Sequence, residues 1–174
     1  MELEIEIEVV PLKDVPSGWV KSTPAREIPL VLVVDDEPIL ADTIAAVLAT
    51  SGLIVVKAYN GIAALEMAQH KLPDLLLSDV MMPGMNGIDL AMAVATELPL
   101  CKVLLFSGHA SVRDLAPAYA EGFDFPLMTK PMHPVEMLKR VFESLQWQPR
   151  PGHAERISAT RLPLPVSMQT QFCS

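Results

Sequence analysis

Cysteine is scarce in this 174-residue chain: only Cys101 and Cys173 occur. One lies in a strand-like run and one near the C-terminus. They do not make a disulfide framework, and they suit a reducing compartment. Positive charge is also in short supply. Lys and Arg number 13 against 21 Asp and Glu, for a net charge of −8. A phosphate backbone needs a basic surface, so the composition argues against nucleic acid as a direct partner. No stretch approaches the ~20 consecutive apolar residues of a membrane span, and no membrane insertion is expected. The opening MELEIEIEVV is acidic and lacks the basic start of a signal peptide. A cytoplasmic location is the expectation. No internal repeat is visible.

What is abundant is apolar residue, at 51% of the chain, enough for a sizeable core. The length suits one domain with tails. Three zones differ in composition. In residues 1–28, Glu2, Glu4, Glu6 and Glu8 alternate with Leu3, Ile5, Ile7 and Val9. This N-terminal extension reads either as an extra strand, able to pair with a sheet edge or a partner, or as a disordered acidic arm. Residues 149–174 hold Pro149, Pro151, Pro163 and Pro165 without an apolar period, and read as a disordered or loosely attached tail. Between them, residues 29–148 alternate short apolar runs with amphipathic stretches.

That middle zone reads as strand then helix, five times over. The strand candidates are residues 30–35, 54–58, 74–79, 102–107 and 123–128. The first, third and fourth are nearly continuous apolar runs, as expected where helices cover both faces of a parallel sheet. Leu40, Ile44, Val47 and Leu48 share one helical face. So do Ile88, Ala91, Val94, Ala95 and Leu98, and later Val135, Leu138, Phe142 and Leu145. NGIAAL and MNGIDL start helices after turn residues, and Ser51-Gly52 can end one. The predicted fold class is α/β, a doubly wound five-stranded parallel sheet of the flavodoxin-like kind with alternating βα units.

In such sheets, sites form at the C-terminal ends of the strands. The first strand runs through VLVVDDEP into Asp35 and Asp36. The third ends in Asp79, the fourth in Ser107, and the fifth is followed by Lys130-Pro131. Each is a weak signal alone. Adjacent aspartates before a helix are commonly a cap, and capping is expected of Asp36 here. A lone serine after a strand is usually a turn residue, and a lone lysine is usually solvated. Three carboxylates, a hydroxyl and an ammonium converging from four strands are a different matter. Crowded carboxylates repel unless something positive sits beside them. A divalent cation would answer that need, and Mg²⁺ prefers carboxylate, carbonyl and water oxygens.

The pattern strongly resembles the receiver domain of two-component response regulators, the family of the chemotaxis response regulator, over residues 29–147. The motifs are Asp35-Asp36, the run LLLSDVMMPGMNG around Asp79, LLFSGHAS around Ser107, and TKP at Lys130-Pro131. The resemblance implies that Asp79 is a phosphoacceptor. It implies that Asp36, Asp79 and the backbone carbonyl of Met81 hold Mg²⁺, with Asp35 helping through a water. Ser107 and Lys130 would contact the phosphoryl oxygens, and the Lys130–Pro131 peptide would be cis. The implied partners are a histidine kinase or phosphotransfer protein and a downstream protein target, with a homodimer also compatible. Output would pass through protein contacts of the face around residues 110–145, since too little chain follows Gln148 for a further domain. The expected chain is thus a stand-alone phosphoacceptor, not an enzyme beyond slow self-catalysed phosphoryl transfer.

Two positions depart from the family pattern. Leu127 stands where many relatives carry a switching aromatic, and Ser107 replaces the commoner threonine. One rival is a pseudo-receiver that serves only as an interaction module, which failure to bind Mg²⁺ would favour. Another is an Mg²⁺-dependent phosphohydrolase, which usually needs an acid/base near the nucleophile. Two positions after Asp79 stands Met81, which cannot serve as one. His109 reads as a rim residue of a solvent-facing loop. His70, His133 and His153 lack partners at metal-ligand spacing, and the methionines read as flexible apolar filling.

Overall fold

A computed structural model describes residues 26–108 and 115–147. The expected N-terminal arm, the whole C-terminal tail, His109 and His153 lie outside the described residues. Five strands and five helices alternate in the described chain. They are β1 (Leu30–Val34), α1 (Pro38–Thr50), β2 (Ile54–Ala58), α2 (Gly61–Lys71), β3 (Leu75–Asp79), α3 (Gly87–Glu97), β4 (Lys102–Ser107), α4 (Ala116–Ala120), β5 (Leu127–Thr129) and α5 (Pro134–Leu145). The strands form one parallel sheet in the order β2-β1-β3-β4-β5. Strand order reverses at β1, so the crevice between the ends of β1 and β3 is the place where such sheets hold ligands.

Alternation along each buried strand divides the core in two. Leu32, Val34, Leu76 and Leu105 face α2, α3 and α4, where they meet Ala64, Ala68, Ile88, Ala91, Val94 and Ala118. Val31, Val33, Leu75, Leu77, Leu104 and Phe106 face α1 and α5, where they meet Ala41, Ile44, Leu48, Met137 and Val141. β1 and β3 are buried along their whole length. That burial is why they read as unbroken apolar runs.

The helix ends follow their local sequence. Pro38 opens α1 at a position where no amide donor is needed. Ser51 caps its C-terminus, and Gly52 follows at φ +95°, in the left-handed region that costs glycine little. The Asn60 side chain accepts from the Ala63 amide at 2.8 Å and starts α2. His133 caps α5, its Nδ1 accepting from the Val135 amide.

Two expectations about these elements need correction. The fifth strand is not 123–128 but Leu127–Thr129. Gly122 turns at φ +87°, and the Phe123 amide donates to Ala118 O at 2.9 Å, closing α4. Phe123 and Phe125 stack with ring centres 5.4 Å apart, and Phe125 is buried in the core beside α4. The ladder with β4 begins only where Leu105 N donates to Pro126 O. These residues are therefore apolar because their rings pack, not because they are extended. The second correction concerns α5. Its inward face is centred on Met137 and Val141, with Leu138, Phe142 and Leu145 half-buried beside them. Val135 lies off that face and is 67% exposed.

Candidate functional site

The ends of β1, β3, β4 and β5 bring the expected residues to one edge. Asp35 directly follows β1, Asp79 and Ser107 close β3 and β4, and Lys130 directly follows β5. With Asp36, Glu37, Leu40, Met81 and Gly108 they line an open depression of about 310 Å³. Asp35, Asp79 and Ser107 are buried, at 2%, 5% and 2% exposure, whereas Asp36 is exposed and Met81 stands 61% exposed on the rim.

Lys130 joins the strands at this edge. Its ammonium lies 2.9 Å from Asp35 Oδ2 and 2.9 Å from Asp79 Oδ1. Its amide donates to Ser107 O at 2.8 Å, and the Lys130–Pro131 peptide is cis. The Phe106 ring lies beneath the ammonium, 4.4 Å from nitrogen to centroid. Partial burial pushes the pKa of Lys130 down. Hydrogen bonds and charge from Asp79 and Asp35 outweigh it, and the net shift is upward from the ordinary lysine value. Lys130 is therefore a fixed positive charge at any physiological pH.

The remaining carboxylate oxygens are occupied by main chain. Asp79 Oδ2 accepts from the Met81 amide at 2.9 Å. Asp35 Oδ1 accepts from the Glu37 amide at 2.8 Å. That second bond corrects the capping expectation. The N-cap of α1 is Glu37, without a side-chain bond, and the carboxylate that secures the turn before α1 is that of Asp35, not Asp36. Asp36 is left facing solvent at the mouth of the depression.

Behind Asp79 the chain turns tightly into α3. Asn86 Oδ1 accepts from the Ile88 and Asp89 amides, both at 2.9 Å. Gly87 N donates to Val80 O at 2.9 Å. A Cβ on Gly87 would lie 1.9 Å from Asp79 O, so only glycine admits this approach. In the sequence, MNGIDL read only as a helix start after turn residues, and Phe106 as one more apolar strand position. The G in MNG was the available signal for the first. Nothing in the sequence separates Phe106 from a packing residue.

The response regulator receiver domain profile matches residues 31–142. The chain belongs to the response regulator receiver family. Among curated relatives, the probable transcriptional regulatory protein TcrX of Mycobacterium tuberculosis is 37% identical over 112 residues, 64% of this chain and 47% of that protein. The DNA-binding transcriptional regulator NtrC of Escherichia coli is 32% identical over 130 residues, 72% of this chain and 27% of that protein. This chain thus spans less than half the length of either relative. Among solved receivers, the signal receiver domain of the putative response regulator NarL of M. tuberculosis is 34% identical, with a TM-score of 0.61 over 71% of this chain and all of that one. A CheY-like receiver from Methanospirillum hungatei has a TM-score of 0.64 at 25% identity, over 68% of this chain and 94% of that one.

The oxygen donors at this receiver's edge suit a small hard cation: two buried carboxylates, a third at the mouth, and the main chain at Met81. As the side chains stand, no three acidic, histidine or cysteine groups among the described residues are gathered closely enough to hold a metal ion. Lys130 bridges Asp35 and Asp79 and stands where positive charge is needed. The donor set fits Mg²⁺ once that bridge opens. No helix among the described residues is long and apolar enough to cross a membrane.

Proposed function

We propose that this receiver accepts a phosphoryl group on Asp79 in an Mg²⁺-dependent step, and that the modified domain switches its protein contacts. The observation that carries the reading is the double ion pair of Lys130 with Asp35 and Asp79, which sets one cation between two buried carboxylates in an open depression. An Asp79 carboxylate oxygen attacks phosphorus in a phosphohistidine or small phosphodonor. The P–N or P–O bond to the donor breaks, its electron pair leaves with the donor, and an aspartyl phosphate results. Asp36, Asp79 and the Met81 carbonyl would hold Mg²⁺, with Asp35 helping through a water, and the cation would supply charge neutralisation for donor and acceptor.

The chain's own residues do the rest. The Met81 amide fixes one Asp79 oxygen and leaves the other toward Lys130. Lys130 follows the transferred oxygens as a point charge. The Ser107 hydroxyl, buried at the end of β4, turns toward the new anion. Leu127 is half-buried against the core beside α4. It has neither ring nor polar tip, so the signal passes through repacking of the β4–α4 region and not through an aromatic flip.

Ile39, Ile62 and Met81 are exposed near the strand ends, at 77%, 62% and 61%. Apolar groups around an acidic pit suit the docking of a histidine kinase or phosphotransfer protein. A cytoplasmic location and the absence of direct nucleic-acid contact by this domain are part of the same proposal. The net charge of −8 supports the second point. Chain boundaries are taken as 29–148 for the receiver, with the flanking stretches as extensions.

The test is incubation of the full chain with Mg²⁺ and acetyl phosphate, followed by intact mass measurement. One phosphoryl adduct is expected, lost in Asp79→Asn and in the absence of Mg²⁺. An unchanged adduct in Asp79→Asn would overturn the assignment. Absence of both Mg²⁺ binding and adduct in the wild type would favour the interaction-module reading.

A further inference from the structure

We propose that Phe106 is a positioning residue for Lys130: its ring holds the ammonium in the bridge between Asp35 and Asp79, and so sets how readily a divalent cation is admitted. The inference rests on the reading of the depression as an Mg²⁺ site. A strand position that only fills core can be any aliphatic residue. Here the side chain is a ring, in register with Asp79 across the β3–β4 ladder, and tied to it by Val80 N donating to Phe106 O at 3.1 Å. The ammonium has three donors, and Asp35 Oδ2, Asp79 Oδ1 and the ring at 4.4 Å lie beside it. The negative face of an aromatic ring attracts a cation, and more strongly where water is thinned. Phe106 is 5% exposed and the Lys130 side chain 27%, so the contact is largely sheltered.

The ring's contact is with the ammonium, 4.4 Å from nitrogen to centroid. It favours the state in which Lys130 fills the gap. A divalent ion must displace the ammonium from both acids, and the ring adds to what it must overcome. Loss of the ring should therefore tighten Mg²⁺ binding rather than weaken it, by about three- to tenfold for a partly sheltered cation–ring contact. A residue that merely packs would give no such gain, and its effect would not depend on Lys130.

The experiment measures Mg²⁺ affinity by calorimetry on the full chain, for the wild type, Phe106→Leu, Lys130→Ala and the double variant. Phe106→Leu is expected to tighten binding by the stated factor in the wild-type background. In the Lys130→Ala background the same substitution should change affinity less than about twofold. Equal changes in both backgrounds, or none in the first, would overturn the proposal. A second measurement needs no variant. Ring current should shift the Lys130 ε-methylene protons of the metal-free wild type upfield of the other lysines by NMR, and ordinary shifts there would overturn the contact. If the wild type binds no Mg²⁺, the metal reading and its gating by Phe106 fall together. If it binds Mg²⁺ and the cycle shows no coupling, only the role of Phe106 falls.

Discussion

Replacing Gly87 by alanine tests how tightly α3 fixes the phosphoacceptor strand. The new Cβ would lie 1.9 Å from Asp79 O, 2.8 Å from Asp79 C and 3.0 Å from Val80 Cα. All three neighbours are main chain, so no side-chain rotation relieves the clash. Ordinary contact begins at 3.4 Å, so the gap to Asp79 O must open by 1.5 Å (3.4 less 1.9). Overpacking of this kind costs ~1–3 kcal/mol, and the upper end applies where only backbone can yield. Alanine recovers at most ~1 kcal/mol of helix propensity. The clash wins by ~2 kcal/mol, which for a domain of this size lowers Tm by roughly 8 °C. The shift also moves Asp79 relative to Lys130, and a displacement of about 1 Å at a reacting group can cost ~100-fold in rate. Differential scanning calorimetry and the rate of acetyl phosphate labelling read the two effects. Gly84→Ala is the control. It sits at φ +76° with nothing within 4 Å, so it strains one residue without pressing on the site, and labelling should be unchanged. A Gly87→Ala protein that melts within about 2 °C of wild type and labels at the wild-type rate would refute the reasoning.

Further expectations follow from single contacts. Asn86→Ala removes the side-chain acceptor for two α3 amides and should cost ~1 kcal/mol, read by chemical denaturation, whereas Asn86→Asp should retain most of it. Burial pushes the Cys101 thiol from 9.0 up to about 12. In a Cys173→Ala background at pH 8, alkylation of folded protein should be roughly 1000-fold slower than in denaturant, since three pKa units set the thiolate fraction. The same shift predicts stability lost as pH rises from about 9 toward 12, where the unfolded thiol ionises and the native one does not. Fast labelling at neutral pH would show that β4 opens readily.

Three strands were legible because burial wrote itself into them. Residues 30–34, 75–79 and 102–107 are nearly all apolar because helices cover both faces, and their polar endings mark the sheet edge. The fifth was misplaced because Phe123 and Phe125 are apolar for another reason, a ring stack under the turn after α4. Spacing also misjudged the edge of the α5 stripe at Val135, since a stripe is wider than one row and its centre depends on what lies opposite. At the site, residue types and strand ends pointed to Asp35, Asp79, Ser107 and Lys130. Which aspartate secures the turn into α1, and what lies beneath the Lys130 ammonium, depend on side-chain directions that no spacing rule carries.

Consider last the register that aligns Val34 with Ser78 and Asp79 with Phe106. Strands of a sheet lie ~4.8 Å apart whatever their side chains. The spacing of the acidic groups is thus a property of peptide geometry, set before any of them is chosen. A chassis of this sort is indifferent to its cargo. The edge can be rewritten residue by residue, toward an inert interaction module or a different chemistry, while the two cores behind it go on folding the same way. The separation between what folds the domain and what it says is built into the sheet itself.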